Sequence, residues 1–135
     1  MYKNILVPVS FGEERDGKGA LEVARVLADE GADLTLLHVM EQIPAHAQTY
    51  LPAGYLAERR TAVEEQLNAM AASIPGASGV VVSGHASRAI LDYADSHQVD
   101  CIVVASHRPG MQDLLLGSTA AKVVRHARCA VHVLR

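Results

Sequence analysis

Apolar residues along this chain fall into two patterns: short unbroken runs, and longer stretches in which they recur every three or four positions. The first run, Ile5-Leu6-Val7, lies in a strand predicted from about Lys3 to Val9. Between Lys18 and Glu30, Leu21, Ala24, Leu27 and Ala28 share one helical face, and Gly31 stands where a helix is expected to end in a left-handed residue. Leu34 to Met40 reads as a second strand, followed by a polar stretch broken by Pro and Gly up to about Gly54, read as loop. Leu56, Val63, Leu67, Met70 and Ile74 repeat at helical spacing until Pro75-Gly76 stops them. Val80, Val81 and Val82 make a third strand closed by Gly84, and Ser87 is the expected N-cap of a helix through Ile90, Leu91 and Ala94. Cys101 to Ala105 is the fourth strand. A loop of about ten residues leads to Gly117-Ser118, which open a helix carrying Ala120, Val123, Val124 and Ala127, and Ala130 to Leu134 is a last strand.

Unbroken rather than alternating apolar runs imply that the first four strands are covered on both faces. Strand and helix alternate, so the strands are expected to be parallel with right-handed crossovers. The fold class is therefore α/β: one domain, residues 1–135, with a doubly wound five-stranded parallel sheet and four helices. Such sheets bind ligands at the carboxyl ends of their strands, near the point where strand order reverses. Pro8-Val9-Ser10, His38-Val39-Met40 and the segment Ala105 to Thr119 should meet there. The short final strand suits a sheet edge, and an open edge invites pairing with a second copy.

The 135 residues are half apolar, with no Trp and one Phe, so Val, Leu, Ile and Ala must build the core. The opening apolar run is too short for a signal peptide, and no stretch approaches the roughly 20 apolar residues of a membrane span. Cys101 and Cys129 are isolated and make neither a disulfide framework nor a zinc site, which points to a reducing cytoplasm. Charge is uneven. From Ala105 onward five of the 12 basic residues (Arg108, Lys122, Arg125, Arg128, Arg135) face one of the 15 acidic ones, Asp113, within a net charge of −3. A basic last quarter on an acidic body suits an anionic ligand; Arg125, His126 and Arg128 also simply complement a helix dipole at its end.

The strongest local signal is Leu114-Leu115-Leu116-Gly117-Ser118-Thr119. A glycine followed by hydroxyl residues at a helix start leaves backbone N–H groups facing outward, as phosphate sites use them. The same residues also fit a plain Ser or Thr N-cap after a glycine turn. Just before it, Ser106 and His107 offer hydrogen bonds and Arg108 a bidentate phosphate contact; read blandly, this is a strand end entering a Pro-Gly turn. Gly12 to Gly19 has Walker A spacing, but Gly19 replaces the required Ser or Thr, and Glu13, Glu14 and Asp16 would repel phosphate. Ser10 or Ser106 with His38 or His107 could form part of a catalytic triad, although nothing positions a base. The seven histidines lack metal-ligand spacing, and nucleic-acid binding lacks a basic surface and stacking aromatics.

Taken together these segments resemble the universal stress protein family along the whole chain. The resemblance is carried by Lys-Asn-Ile-Leu-Val-Pro-Val at the start, Leu-Thr-Leu-Leu-His-Val, and Val-Asp-Cys-Ile-Val-Val-Ala-Ser-His-Arg-Pro-Gly. The closing segment from Leu114 to Arg135 belongs with them. The resemblance implies strand order 3-2-1-4-5 in an adenine nucleotide alpha hydrolase-like fold, a homodimer through the last strand and, in one branch, ATP binding. That branch carries a G-x-x-G-x9-G-[ST] signature. Gly117 and Ser118 match its end, which implies that their backbone and hydroxyl hold phosphate. Ala105 and Arg108 stand at its first two glycines, with eight residues between Arg108 and Gly117. The Ser-His-Arg-Pro form resembles a sub-branch, and Arg108 is expected to replace a backbone approach with its side chain. Ser10 stands where the branch has an Asp, keeping a hydrogen bond without the charge. Val39 stands where the main chain meets adenine, and Pro8 and Val9 are expected to line the same crevice.

The functional expectation is a cytoplasmic stress-response protein binding ATP or AMP, with Mg as an optional companion of the triphosphate and little or no turnover. Adenine lies near Val39, ribose near Pro8 to Ser10, and phosphates on Ser106 to Arg108 and Gly117 to Thr119. The alternative is a nucleotide-free dimeric interaction module in which Ser10, Ala105 and Arg108 mark a degenerated site. A phosphoanhydride hydrolase is a third reading, slow for want of a base or metal.

Overall fold

The computed structural model describes residues 1–10, 17–105 and 117–134, the side chains of residues 17 and 18 excepted. In chain order the elements are β1 (Tyr2–Pro8), α1 (Gly17–Leu27), β2 (Ala28–Met40), α2 (Ala45–Gln48), α3 (Tyr55–Ala72), β3 (Ala77–Ser83), α4 (Ala86–Ser96), β4 (Cys101–Ala105), α5 (Ser118–His126) and β5 (Ala130–Leu134). The five strands form one parallel sheet in the order β3-β2-β1-β4-β5.

Alternation along the strands divides the core into two layers. Ile5, Val7, Leu34, Leu36, Val81, Cys101 and Val103 point to one face, where they pack with Ala20, Leu21 and Ala24 of α1 and Val63, Leu67 and Ala71 of α3. Leu6, Leu37, Ile102 and Val104 point to the other, against Ile90 and Ala94 of α4 and Ala120 and Val123 of α5. The first two crossovers thus lie on one side of the sheet and the last two on the other. Order reverses between β1 and β4, since the helices that follow them, α1 and α5, pack on opposite faces of the sheet.

Several boundaries differ from the sequence reading. Helix α1 stops at Leu27, three residues before Glu30, and Gly31, at φ +77°, lies beyond it. Pairing jumps from Tyr2↔Ala28 to Asn4↔Asp33, so residues 29–32 bulge out of the ladder, and the left-handed glycine serves that bulge rather than a helix end. The chain between Met40 and α3 holds the short helix α2, which apolar periodicity could not show because none of its residues is buried. The N-cap of α4 is His85, extended at φ −85° and ψ 131°, not Ser87. Gly84, at φ +142°, turns the chain early, which places Ser87 inside the helix, buried, its Oγ 3.4 Å from His85 Nδ1. Strand β3 is an edge strand and, apart from Val81, only partly covered, unlike the other three of the first four.

Glycine is required where α3 meets β3. A Cβ on Gly79 would stand 2.7 Å from the Leu67 Cβ and 3.2 Å from its carbonyl carbon. At the amino end of the sheet, Asp100 accepts from the Lys3 N–H (2.9 Å) and the Asn4 N–H (3.0 Å), while its own N–H donates to the Asn4 carbonyl (3.0 Å). The start of β1 is thereby fixed to the start of β4, leaving the opposite, carboxyl end as the edge free to vary.

Candidate functional site

At the carboxyl end of β1, Pro8 is half-buried, Val9 is buried and Ser10 is exposed. The Val9 N–H donates to the Leu37 carbonyl at 2.8 Å, the last rung of the β1–β2 ladder. In a parallel ladder the next rung would run from the Val39 N–H to the Val9 carbonyl. That carbonyl instead accepts from His38 Nδ1 at 2.8 Å. A carbonyl can only accept, so Nδ1 carries the proton. The Leu37 carbonyl points toward β1, and the Met40 carbonyl, which accepts from the Gly84 N–H at 3.0 Å, points toward β3. By alternation the Val39 N–H and C=O point toward β1, into the gap beyond Val9. They have no backbone partner among the described residues.

Across the sheet, α5 begins at Gly117, with φ −59° and ψ 153°, and the first helical bond runs from the Ala121 N–H to the Gly117 carbonyl at 2.9 Å. Glycine has no side chain to cap the helix, and no side-chain cap hydrogen bond forms among the described residues. The plain Ser or Thr N-cap is thus not what the chain adopts: Ser118 and Thr119 lie inside the first turn, Ser118 exposed and Thr119 half-buried. The N–H groups of such a turn have no partner within the helix and form the positive end of its dipole. Ala105 ends β4 with its side chain exposed. Ser106, His107 and Arg108 lie outside the described residues, as does most of the Walker-like stretch from Gly12.

The structure adds residues the sequence reading did not select. Above the carboxyl ends of β2 and β3 opens a cleft of about 830 Å³, walled by Met40, Ile43, Leu56, Arg60 and Ser83 among others. Its volume is in the range of small-molecule sites. Leu56, the first of the helically spaced apolar residues, is 38% exposed and faces this cleft because the first turns of α3 overhang the sheet. Arg60 donates from Nη2 to the edge carbonyl of Val81 (3.0 Å) and from Nε to Glu64 Oε1 (3.0 Å). Helical periodicity gave no hint of this wall, since only Val63, Leu67 and Ala71 of α3 are buried.

His38 Nδ1 bonds the Val9 carbonyl at 2.8 Å. Cys101 is buried at the amino end of β4, and burial pushes its thiol up to about 11; burial raises the Cys129 thiol as well. The two cysteines belong to opposite core layers and are free. Among the described residues no group of three or more His, Cys, Asp or Glu could hold a metal ion. No described helix is long and apolar enough to cross a membrane.

The profile described as the Universal stress protein family matches residues 1–135. A curated relative, universal stress protein A homolog 2 of Coxiella burnetii, is 32% identical over 140 residues, covering 99% of this chain and 95% of its own. Among solved structures, universal stress protein UspA from Lactobacillus plantarum is 30% identical with a TM-score of 0.72, covering 99% of this chain and 98% of that one. A family member from Arabidopsis thaliana with AMP bound has the same fold at 20% identity and TM-score 0.64, over 98% of this chain and 90% of that one.

Proposed function

The chain belongs to the universal stress protein family, and from that premise we propose that it holds an adenine nucleotide, AMP or ATP, at the carboxyl edge of its sheet with little or no turnover. The observation that carries the reading is the start of α5 at Gly117, a set of main-chain donors that no side chain among the described residues caps. The phosphates sit on Gly117, Ser118 and Thr119, joined by Ser106, His107 and Arg108 from the preceding loop. The ribose lies against Pro8, Val9 and Ser10, the base against the main chain of Val39, and Ala105 marks the floor between them. A family member with AMP bound supports the ligand class. Magnesium accompanies ATP when that is the nucleotide, held by the phosphates. The protein works in the cytoplasm as a stress-response factor and pairs with a second copy through β5.

Calorimetric titration with AMP and with ATP–magnesium should give saturable heat in the wild type. Gly117 has a φ open to any residue, so Gly117→Glu keeps the fold and puts a carboxylate where phosphate would sit. Its affinity should fall at least tenfold with an unchanged melting temperature. Wild-type protein that gives no heat at millimolar nucleotide would overturn the reading. A nucleotide-free dimeric module is the competing reading, favoured by Ser10, Ala105 and Arg108 standing where the binding branch has Asp and two glycines. Native mass spectrometry of freshly purified protein separates the two, since retained nucleotide adds a defined mass.

A further inference from the structure

We propose that His38 is a positioning residue that ends the β1–β2 ladder one rung early, so that the main-chain N–H of Val39 stays available to an acceptor on the base. The inference rests on the reading of this crevice as a nucleotide site, and it names what keeps the base-facing groups open. Two adjacent parallel strands with unbroken geometry continue pairing as long as their backbones run side by side. Here β1 and β2 are in register from Asn4↔Asp33 to Pro8↔Leu37, and Val9 still donates to Leu37 at 2.8 Å. Nothing in that register forbids the following rung. What departs from it is a side chain: His38 Nδ1 sits 2.8 Å from the Val9 carbonyl, the acceptor the Val39 N–H would otherwise use.

The consequence is chemical. Val39 presents a donor and an acceptor on the same side of the strand, and an adenine edge offers an amino donor beside a ring-nitrogen acceptor. A strand end that had sealed its last rung would offer the carbonyl alone. His38 also holds the segment Pro8 to Ser10 in place through the same bond, so one imidazole sets both the ribose-facing backbone and the base-facing amide.

The test exploits the two ring nitrogens. Asn places its Nδ2 where the imidazole has Nδ1, whereas Gln reaches the position of Nε2. In His38→Ala the Val39 amide should close onto Val9, slowing its hydrogen exchange at least tenfold in the free protein. AMP binding measured by calorimetry should weaken about fivefold, the worth of one ordinary hydrogen bond. His38→Asn should restore both values and His38→Gln neither. Unchanged exchange and affinity in His38→Ala overturn the proposal, as does rescue by Gln in place of Asn or a loss of affinity with no change at the Val39 amide. If the Ala variant fails to fold, the Asn–Gln pair decides alone. Wild-type protein that binds no AMP overturns the nucleotide reading itself; the exchange of Val39 across the variants then still shows whether His38 sets the end of the ladder.

Discussion

Asp100 illustrates how single side chains hold the frame on which the site is mounted. One carboxylate accepts from two successive amides, those of Lys3 and Asn4, and no other residue type of its length offers two such oxygens. Charge-assisted bonds of this kind are worth about 1.5–3 kcal/mol each in favourable cases, less where water competes. Asp100→Ala should therefore lower unfolding stability by about 2 kcal/mol in urea denaturation, and Asp100→Asn by roughly half as much because one acceptor remains. An unchanged midpoint in both would show the bonds to be incidental. This role was not legible beforehand: Asp100 reads as an ordinary polar residue ahead of a strand. Gly117 and Ser118 stand out because a glycine and a hydroxyl residue at a predicted helix start form a recognisable pattern, whereas Val39 is singled out through the family resemblance. His38 is picked out only as a candidate base, because its bond to a carbonyl 29 residues away is not written in the sequence around it.

At the level of elements, legibility followed burial. The runs Ile5–Val7 in β1 and Cys101–Val104 in β4 are seen in the sequence because one physical cause, covering on both faces, dictates every residue. Helix α2 has no buried residue and escapes pattern reading for that reason; α3 is read from Leu56 onward, but not that its first turns, without a buried residue before Val63, overhang the sheet. Gly31 misled for another: a left-handed glycine serves a bulge as well as a helix end, and the residues around it do not tell which. Gly79 is the opposite case, a glycine inside a strand that marks a close approach. Because its Cβ would fall 2.7 Å from that of Leu67, α3 must move for any side chain there. Gly79→Ala should cost about 1–3 kcal/mol, measured by thermal or urea unfolding. A neutral or stabilising outcome would mean that α3 slides freely over β3, and the wall of the cleft with it.

For the molecule as a whole, the doubly wound order places two demands at opposite places. The switch point between β1 and β4 lies at the carboxyl end of the sheet, whereas the edge at β5 faces sideways, so a ligand at the first and a second copy at the other would not compete for the same surface. On β5, Val131 and Val133 pack into the layer with α4 and α5, and Leu134 against the other layer. Ala130 and His132 are exposed on the side that α1 and α3 cover elsewhere in the sheet. An edge of this kind, short and without Pro, Lys or an acidic residue among Ala130–Leu134, lacks the usual devices that block pairing. Sedimentation at micromolar concentration should accordingly give twice the 14.4 kDa of one chain. Symmetric pairing about a two-fold brings the two copies of a mid-strand residue close together. His132→Asp should then set like charges against each other and weaken the dimer at least tenfold, leaving the fold intact because the side chain is exposed. If the edge and the crevice are independent, AMP binding per chain should be the same in this variant. A variant that stays dimeric would move the interface elsewhere, and one that loses AMP binding along with the dimer would show that the second copy completes the site.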